Sequence, residues 1–297
     1  MEFICSDCPR RCGALRGAEK AGGVCASPAL PRVVRAAPHF GEEPCLSGTK
    51  GAGAIFFSGC NLRCVYCQNH EISRGAQTGK PTDAAALREM MLHLRDEGVH
   101  CIDLVTPTHF VRTVREALSG LALGIPVVWN SSGYESVETL RTLEGLVQVY
   151  MPDYKYADPA LAKRYSAAVD YPSVAAAAIR EMVRQTGPYR LDENGLLRSG
   201  VLIRHLILPG EMENSMGAID FVADSFPQGS VLFSLMSQYT PMPGIERFPA
   251  LQRRVDAEEN EHLIRYMHAC GITEGYWQEL SSATEAEIPA FDGTGVE

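Results

Sequence analysis

The stretch Ala54-Ile55-Phe56-Phe57-Ser58-Gly59-Cys60-Asn61-Leu62-Arg63-Cys64-Val65-Tyr66-Cys67 joins a short apolar run to a loop that carries three cysteines. The run is continuous and apolar, as expected of a strand buried on both faces. Three thiolates are one ligand short of a closed structural zinc site, whereas a cubane cluster held by three cysteines leaves one iron open. Three unrelated buried cysteines are the alternative, although Gly59 and Asn61 favour a loop over one shared helix face.

Apolar runs alternate with helical patterns downstream of this strand. Five further runs have the composition of buried strands: 101–105, 126–129, 146–150, 201–208 and 231–235. Helical spacing predicts helices over 82–97, 110–123, 135–143, 158–168, 173–186 and 215–224, with a last helix over 255–270. The alternation predicts an α/β fold with a parallel sheet and right-handed crossovers. Six such units are too few for a closed eight-stranded barrel, so an open partial (β/α)6 TIM-like barrel or a doubly wound sheet fits.

The first 50 residues have a different composition. They are rich in Cys, Gly, Pro and Arg and lack periodicity, which is typical of a small module held together by a metal or a neighbouring domain. We therefore expect a Cys-rich metal-binding module over 1–50, the barrel core over 51–245 and a C-terminal helical extension over 246–297.

Four cysteines of this module are candidate metal ligands. Cys5, Cys8, Cys12 and Cys25 supply enough thiolates for a tetrahedral zinc or iron site or for a second 4Fe-4S cluster. Their spacing does not separate these possibilities, and a metal-free thiol cluster is the alternative.

Bulk composition narrows the class of protein. The net charge is −9 without a long Lys/Arg block, which disfavours a nucleic-acid partner. The N-terminal residues lack the pattern of a signal peptide, and no apolar run reaches the roughly 18 residues that span a bilayer. These features predict a cytoplasmic protein that does not use a membrane. In a reducing cytosol, ten cysteines indicate metal ligands or redox groups more than disulfides.

Polar residues follow the predicted strands. Ligands bind at the carboxyl ends of parallel strands in both architectures, so one polar cavity could collect these side chains, with the Cys60 group at its rim. Arg204, inside an apolar run, needs an anionic partner. Asp153 and Lys155 could form a simple ion pair, and His109 and His205 could be ligand contacts or core histidines.

The Cys60–Cys67 segment resembles the signature of the radical S-adenosylmethionine (SAM) superfamily, C-x3-C-x-aromatic-C after the first barrel strand, with Tyr66 as the aromatic residue. The resemblance implies a 4Fe-4S cluster on Cys60, Cys64 and Cys67, an open iron chelated by SAM, and Tyr66 near the adenine. It also implies reductive cleavage of SAM to methionine and a 5′-deoxyadenosyl radical that abstracts hydrogen from a substrate. The electron donor would be of the flavodoxin or ferredoxin type.

The chain is more closely similar to the branch that activates glycyl-radical enzymes, and within it to pyruvate formate-lyase activating-like proteins of unsettled substrate. Asp153-Tyr154-Lys155 matches the D-x-K element of that branch, and Val201–Arg204 matches its fifth strand, whose arginine approaches SAM. Thr106-Pro107-Thr108-His109 replaces the Gly-Gly-Glu of the activating enzymes, and Asn130-Ser131-Ser132-Gly133 replaces their D-T-N-G. By position, the cofactor-binding candidates are Tyr66, Thr106, Thr108, Asn130, Ser132, Asp153, Lys155 and Arg204.

Three functions follow from these features. The first is a radical SAM oxidoreductase that abstracts hydrogen from a protein glycyl-type site. The second is a radical SAM enzyme that acts on a small molecule or another macromolecule. The third is a non-catalytic iron–sulfur or zinc protein for electron transfer or scaffolding, which leaves the polar strand ends unexplained.

Overall fold

A computed structural model describes residues 2–18, 21–74, 78–278, 280 and 289–296. The strands are β1 Phe3–Ile4, β2 Leu15–Arg16, β3 Arg32–His39, β4 Ala52–Phe57, β5 Lys80–Pro81, β6 Ile102–Val105, β7 Val127–Ser131, β8 Val149–Pro152, β9 Arg190–Leu191, β10 Leu197–Leu206, β11 Leu232–Met236 and β12 Gly275–Trp277. The helices are α1 Pro44–Ser47, α2 His70–Arg74, α3 Ala84–Asp96, α4 Val111–Leu118, α5 Val137–Arg141, α6 Pro159–Ser166, α7 Tyr171–Thr186, α8 Met212–Ser225 and α9 Ala257–Ala269. Every predicted strand and helix overlaps one of these elements, whereas β1, β2, β3, β5, β9, β12, α1 and α2 were not predicted.

The central sheet is mostly parallel. Its order is β12-β11-β10-β8-β7-β6-β4-β3-β5, and β9 pairs with β10. The strands from β4 to β12 on this path are parallel neighbours in chain order, whereas β3, β5 and β9 are antiparallel additions. Because the parallel order never reverses, the sheet is singly wound, and right-handed crossovers place the connecting helices on one face. The α/β prediction is confirmed, and of the two architectures that fitted the sequence the doubly wound sheet is wrong.

The two faces of the sheet are covered differently. Alternate strand residues, among them Ile55, Trp129 and Ile203, belong to the large apolar cluster that includes the buried faces of the long helices. On the opposite face, the short helix α1 places Cys45 and Leu46 against the amino-terminal halves of the strands, in a smaller apolar cluster. Because α1 covers only that end, the carboxyl ends of the strands stay open on this face.

Both terminal segments contribute to the main sheet. β3 pairs along β4, and β12 pairs with β11, so hydrogen bonds of the main sheet cross the predicted boundaries at residues 50 and 245. Pairing of β3 covers the hydrogen-bonding edge that β4 would otherwise expose. The part that stays outside the main sheet is the N-terminal module, defined here as the described residues of 2–31, with its own two-stranded sheet β1–β2. None of the helices in the described ranges has the length and apolar character needed to cross a membrane.

Candidate active site

A cavity of about 180 Å³ lies at the carboxyl ends of the parallel strands. Its wall is formed by the loop after β4 and by residues at the ends of β6, β7, β8, β10 and β11. Most of the residues predicted to bind the cluster or SAM line it: Cys60, Cys64, Tyr66, Cys67, Thr106, Asn130, Ser132, Asp153, Lys155 and Arg204. Thr108 was also predicted to bind the cofactor, but it does not line this cavity. The N-terminal cysteines line a different pocket.

The loop after β4 presents its cysteines to this cavity. Cys60 and Cys64 are buried, and Cys67 is half-buried. The backbone N–H groups of Leu62 and Arg63 donate to Sγ of Cys60 at 3.4 and 3.5 Å. Arg63 has a φ of +55°, in the left-handed region, where the chain turns around the Cys60 sulfur. Hydrogen bonds of this kind stabilise the thiolates of cluster ligands and help to set the potential of the cluster.

The N-terminal module holds this loop in place. Gly59 has a φ of +81°, and a Cβ there would lie 2.3 Å from Oγ of Ser27 and 2.9 Å from the carbonyl oxygen of Cys25. Only glycine allows so close an approach. Arg10 donates from Nε to the carbonyl oxygen of Asn61 at 2.9 Å. The position of Cys60 therefore depends on contacts with residues far away in the sequence.

The cysteines of this loop fit a cluster better than a single ion. Within the described residues, no three His, Cys, Asp or Glu side chains are grouped so as to hold a metal ion, either in this loop or in the N-terminal module. The preference for a cluster here comes from the ligand count, because three thiols are one ligand short of a closed zinc site. A cubane binds each thiolate through a different iron, so its ligands need not converge on one point. Burial raises the pKa of Cys60 to about 12, so the free thiol is protonated at neutral pH and coordination would be needed to ionise it. A 4Fe-4S cluster with one open iron suits three thiols beside a polar cavity.

Arg204 is the central cation of the cavity. Its Nη1 lies 2.7 Å from Oε2 of Glu42, and its Nη2 donates to Oδ1 of Asn130 at 2.9 Å. Burial lowers the pKa of Arg204, but the carboxylates of Glu42 and Glu43 outweigh burial and raise it. Sequence reasoning missed Glu42 as the nearest partner. The acidic pair before Pro44 is a signal that could have suggested it, but 162 positions separate Glu42 from Arg204.

A second cation lies closer to the cysteines. Nζ of Lys155 is 2.8 Å from Oδ2 of Asp153. Burial lowers the pKa of Lys155, but attraction to the Asp153 carboxylate and to the Cys64 sulfur raises it to about 12. Lys155 is therefore charged at neutral pH and would offset the charge of cluster-bound thiolates beside it. Deeper in the sheet, Asn130 donates from Nδ2 to Oδ2 of Asp103 at 3.2 Å, and burial raises the pKa of Asp103 well above its usual range.

Tyr66 contributes an aromatic wall. Its ring centroid lies 6.3, 6.2 and 6.3 Å from those of Tyr156, Tyr165 and Tyr239, in edge-on arrangements. Edge-to-face packing of this kind fixes ring orientation. Burial raises the pKa of Tyr66, so its hydroxyl stays neutral. A rigid, uncharged aromatic surface beside the cysteines is suited to a flat ring such as adenine.

Of the two threonines that follow β6, Thr106 lines the cavity and Thr108 does not. Thr106 lines the cavity with a φ of +61°, which is strained for a β-branched residue. Thr108 lies outside the cavity, because it begins a 3-10 turn and donates from Oγ1 to Oε1 of Glu135 at 2.5 Å. The expectation that Thr108 binds the cofactor is therefore not supported by its position. Burial raises the pKa of Glu135 to about 7.

Neither histidine that the sequence highlighted reaches the cavity. Nδ1 of His205 lies 2.7 Å from the carbonyl oxygen of Tyr154, and its Nε2 lies 3.0 Å from Oγ of Ser215, which makes it a core histidine. Nε2 of His109 lies 2.9 Å from the carbonyl oxygen of Ser58. His109 instead lines a second, smaller pocket beside the N-terminal module.

This second pocket gathers the N-terminal cysteines. Cys5, Cys8, Cys12 and Cys25 all line it. Cys5, Cys8 and Cys25 are buried, whereas Cys12 is exposed. Burial, with the nearby Cys25 and Cys5 sulfurs, raises the pKa of Cys8 to about 12. The fold therefore places the two sets of cysteines on separate pockets.

Comparisons with known proteins establish the superfamily to which this chain belongs. The sequence profile of the Radical SAM superfamily matches residues 54–222, more than half of the chain, and the chain belongs to this superfamily. Membership implies SAM and a 4Fe-4S cluster as cofactors and supports an enzyme. The uncharacterized protein MJ0674 of Methanocaldococcus jannaschii is 30% identical over 235 residues, which cover 76% of this chain and 64% of that protein. The chain thus spans less than two thirds of this curated relative.

Solved structures share the fold. The crystal structure of Streptococcus suis SuiB bound to the precursor peptide SuiA matches with a TM-score of 0.52 at 14% identity, over 75% of this chain and 48% of that one. SuiB bound to SAM matches with a TM-score of 0.51 at 13% identity, over 75% and 46%. At these identities the likeness concerns the fold alone.

Proposed function

We propose that this protein cleaves SAM reductively at a 4Fe-4S cluster held by Cys60, Cys64 and Cys67, and that the resulting 5′-deoxyadenosyl radical abstracts hydrogen from a substrate. The observation that carries the proposal is the position of these three cysteines on the same cavity wall as the polar ends of the strands. When bound, the cluster supplies the electron that breaks the sulfonium bond. The singly wound sheet also supports an open partial barrel as the architecture of the core.

The charged residues of the cavity suit binding of the polar end of SAM. Lys155 and Arg204 are buried cations whose carboxylate partners are Asp153 and Glu42. We assign the polar end of SAM to this group of paired charges. Asn130 and Ser132 line the same cavity and offer neutral polar groups for the remaining contacts, and Tyr66 offers its ring to the adenine. The donor that reduces the cluster would be of the flavodoxin or ferredoxin type.

Anaerobic reconstitution tests this activity. The protein is loaded with iron and sulfide, then given SAM and a strong reductant, and 5′-deoxyadenosine is measured by chromatography and mass spectrometry. We expect 5′-deoxyadenosine and methionine in equal amounts from the loaded protein. A protein that carries its 4Fe-4S cluster but forms no 5′-deoxyadenosine would contradict the proposal and favour an electron-transfer or scaffolding role.

For the substrate, we propose a glycyl-type site in a protein or peptide. Two facts support it: the resemblance of Asp153-Tyr154-Lys155 and Val201–Arg204 to the activating branch, and the fold that this chain shares with SuiB, which was crystallised with a precursor peptide. The alternative is a small molecule or another macromolecule. The N-terminal cysteines add a second metal centre to this proposal.

Deuterium transfer separates these substrates. Glycine-containing peptides carrying deuterium at the glycine Cα are incubated with loaded enzyme and SAM, and deuterium in 5′-deoxyadenosine is measured by mass spectrometry. Enrichment from the glycine label, and none from the same peptides labelled at alanine, is the expected result. SAM cleavage without deuterium transfer from any peptide would point instead to the small-molecule alternative.

A further inference from the structure

The pocket beside the N-terminal module has features that the SAM reaction does not require. It lies between this module, the loop after β4 and the turn after β6, and its walls include four cysteines together with Asn61 and His109. It has about 10 Å³ of free space, whereas the cavity at the strand ends has about 180 Å³. About one water-sized body fits such a space.

Two buried polar atoms of this pocket have no partner. Nδ1 of His109 and Oδ1 of Asn61 make no hydrogen bond within the described part of the chain. His109 is 2% exposed and Asn61 is 1% exposed, so solvent does not replace the missing partner. Because Nε2 of His109 faces the carbonyl oxygen of Ser58, the proton of a neutral ring belongs on Nε2 and the lone pair on Nδ1. Histidines that ligate metals commonly have their other ring nitrogen anchored in this way.

A buried cation, Arg16, lies beside the Cys5 sulfur. Arg16 is 1% exposed, and Nη1 lies 3.5 Å from Sγ of Cys5. Within the described residues, its hydrogen bonds end on this sulfur or on the carbonyl oxygens of Pro28 and His109, and none ends on a carboxylate. The nearby Asp7 carboxylate forms an ion pair with Arg112 at 2.8 Å. A buried guanidinium with no carboxylate partner among the described residues is suited to the negative charge that a metal–thiolate centre would carry.

We propose that Cys5, Cys8, Cys25 and Nδ1 of His109 bind one zinc-type divalent ion, with Cys12 outside the coordination sphere. Three thiolates and one imidazole are an established tetrahedral set for zinc. Cys12 is the exposed member of the group, and its sulfur lies against Gly23, where an added Cβ would be only 2.7 Å away.

The size of the pocket favours an ion over a cluster. The side chains as they stand do not converge on one point. The free space of about 10 Å³ suits one ion better than a four-iron cubane, and the thiol side chains would turn about χ1 to reach that ion. The same ion would tie Cys25 to His109, and both residues flank Gly59, next to Cys60. The site therefore positions the loop that binds the proposed cluster, and it does not depend on SAM cleavage.

Metal binding to the full-length chain with Cys60, Cys64 and Cys67 changed to Ala tests this site. The variant is purified without metal and titrated with Zn²⁺ and, separately, with Co²⁺, whose sulfur charge-transfer absorption grows with the number of Co–S bonds. We expect one ion per chain and an absorption intensity that corresponds to three thiolates. In this background Cys12→Ser should leave affinity and spectrum unchanged, whereas His109→Ala should weaken binding by about 10-fold or more.

Two controls keep the test decisive. His109→Cys should restore tight binding with a stronger, four-thiolate absorption, which a merely structural role for His109 would not produce. Unfolding midpoints of the metal-free variants check that each one folds. Loss of the ion in Cys12→Ser with retention in His109→Ala would overturn the assignment in favour of four cysteines. Uptake of iron and sulfide as a cluster, with no Zn²⁺ bound, would overturn the proposal that this pocket binds a single ion.

Discussion

The chain carries two sets of cysteines whose surroundings differ more than their sulfur atoms do. Cys60, Cys64 and Cys67 lie on an open cavity lined by polar strand ends, whereas Cys5, Cys8 and Cys25 lie in a small pocket that His109 helps to close. An incomplete ligand set beside an open cavity leaves a coordination position for a reactant, as at catalytic metal sites. A closed set leaves none, so we assign chemistry to the first site and structural support to the second.

The two sites should differ most in how strongly the loss of one cysteine lowers the rate of 5′-deoxyadenosine formation. Cys64→Ala should lower 5′-deoxyadenosine formation by more than about 100-fold, because it removes a cluster ligand rather than an outer partner. Cys8→Ala should lower it by about 10-fold or less, since it acts only through the position of the loop. Rates are measured after reconstitution, with iron content as the control. Equal losses in the two variants would contradict the division of roles.

The buried charges of the open cavity should matter for stability. Arg204→Met leaves Glu42 and Glu43 without their cation, and loss of one partner of a buried ion pair costs about 3–5 kcal/mol of unfolding free energy. The matched control is Arg198→Met on the same strand, whose side chain is 43% exposed and should cost at most about 1 kcal/mol. Denaturant unfolding measures both. A small effect of Arg204→Met would mean that the carboxylates become protonated without penalty.

The sheet that supports both sites should respond to acid through His205. Burial lowers the pKa of His205 to about 4, below the 6.5 of an unfolded histidine. Its contribution is therefore complete above pH 6.5 and is lost as the pH falls from 6.5 towards 4, by about 3 kcal/mol in total.

The variant His205→Gln isolates this contribution. Wild type should lose stability relative to His205→Gln over that pH range, as measured by denaturant unfolding at a series of pH values. His93→Gln, at a histidine whose side chain is 71% exposed, is the control for removal of an imidazole from the surface. Parallel pH profiles for wild type and His205→Gln would show that His205 is protonated in the folded protein.

The smallest expected difference in unfolding free energy concerns Gly59, where the N-terminal module contacts the loop after β4. Gly59→Ala and Gly120→Ala both place a side chain at positive φ, which costs about 1–2 kcal/mol. A Cβ added at Gly120 would meet no atom of the described residues within 4 Å beyond its chain neighbours, whereas a Cβ at Gly59 collides with Ser27 and Cys25. Gly59→Ala should therefore cost about 1–3 kcal/mol more and should lower metal content at both sites. Similar costs for the two variants would mean that the N-terminal module can move away freely.

Local patterns in the sequence predicted much of the fold and of the open site. The cysteine spacing, Tyr66 and the Asp153–Lys155 pair are short-range features, and each of these residues lies on the predicted cavity. The alternation of apolar runs and helical patterns predicted every core strand from β4 to β11, because periodicity reports which face of an element is buried. The strands β3 and β12 were not predicted, since short or partly exposed strands have a weak pattern.

The sequence by itself determined the class of chemistry, because the three cysteines and the strand before them lie within fourteen residues. Tertiary structure alone decided which distant groups complete each site. Glu42 reaches Arg204, Thr108 turns away to Glu135, and His109 joins the N-terminal cysteines. The physical reason is that ligand spacing and periodicity are local properties of the chain. The partner of a buried charge or an unpaired nitrogen depends instead on how distant segments pack.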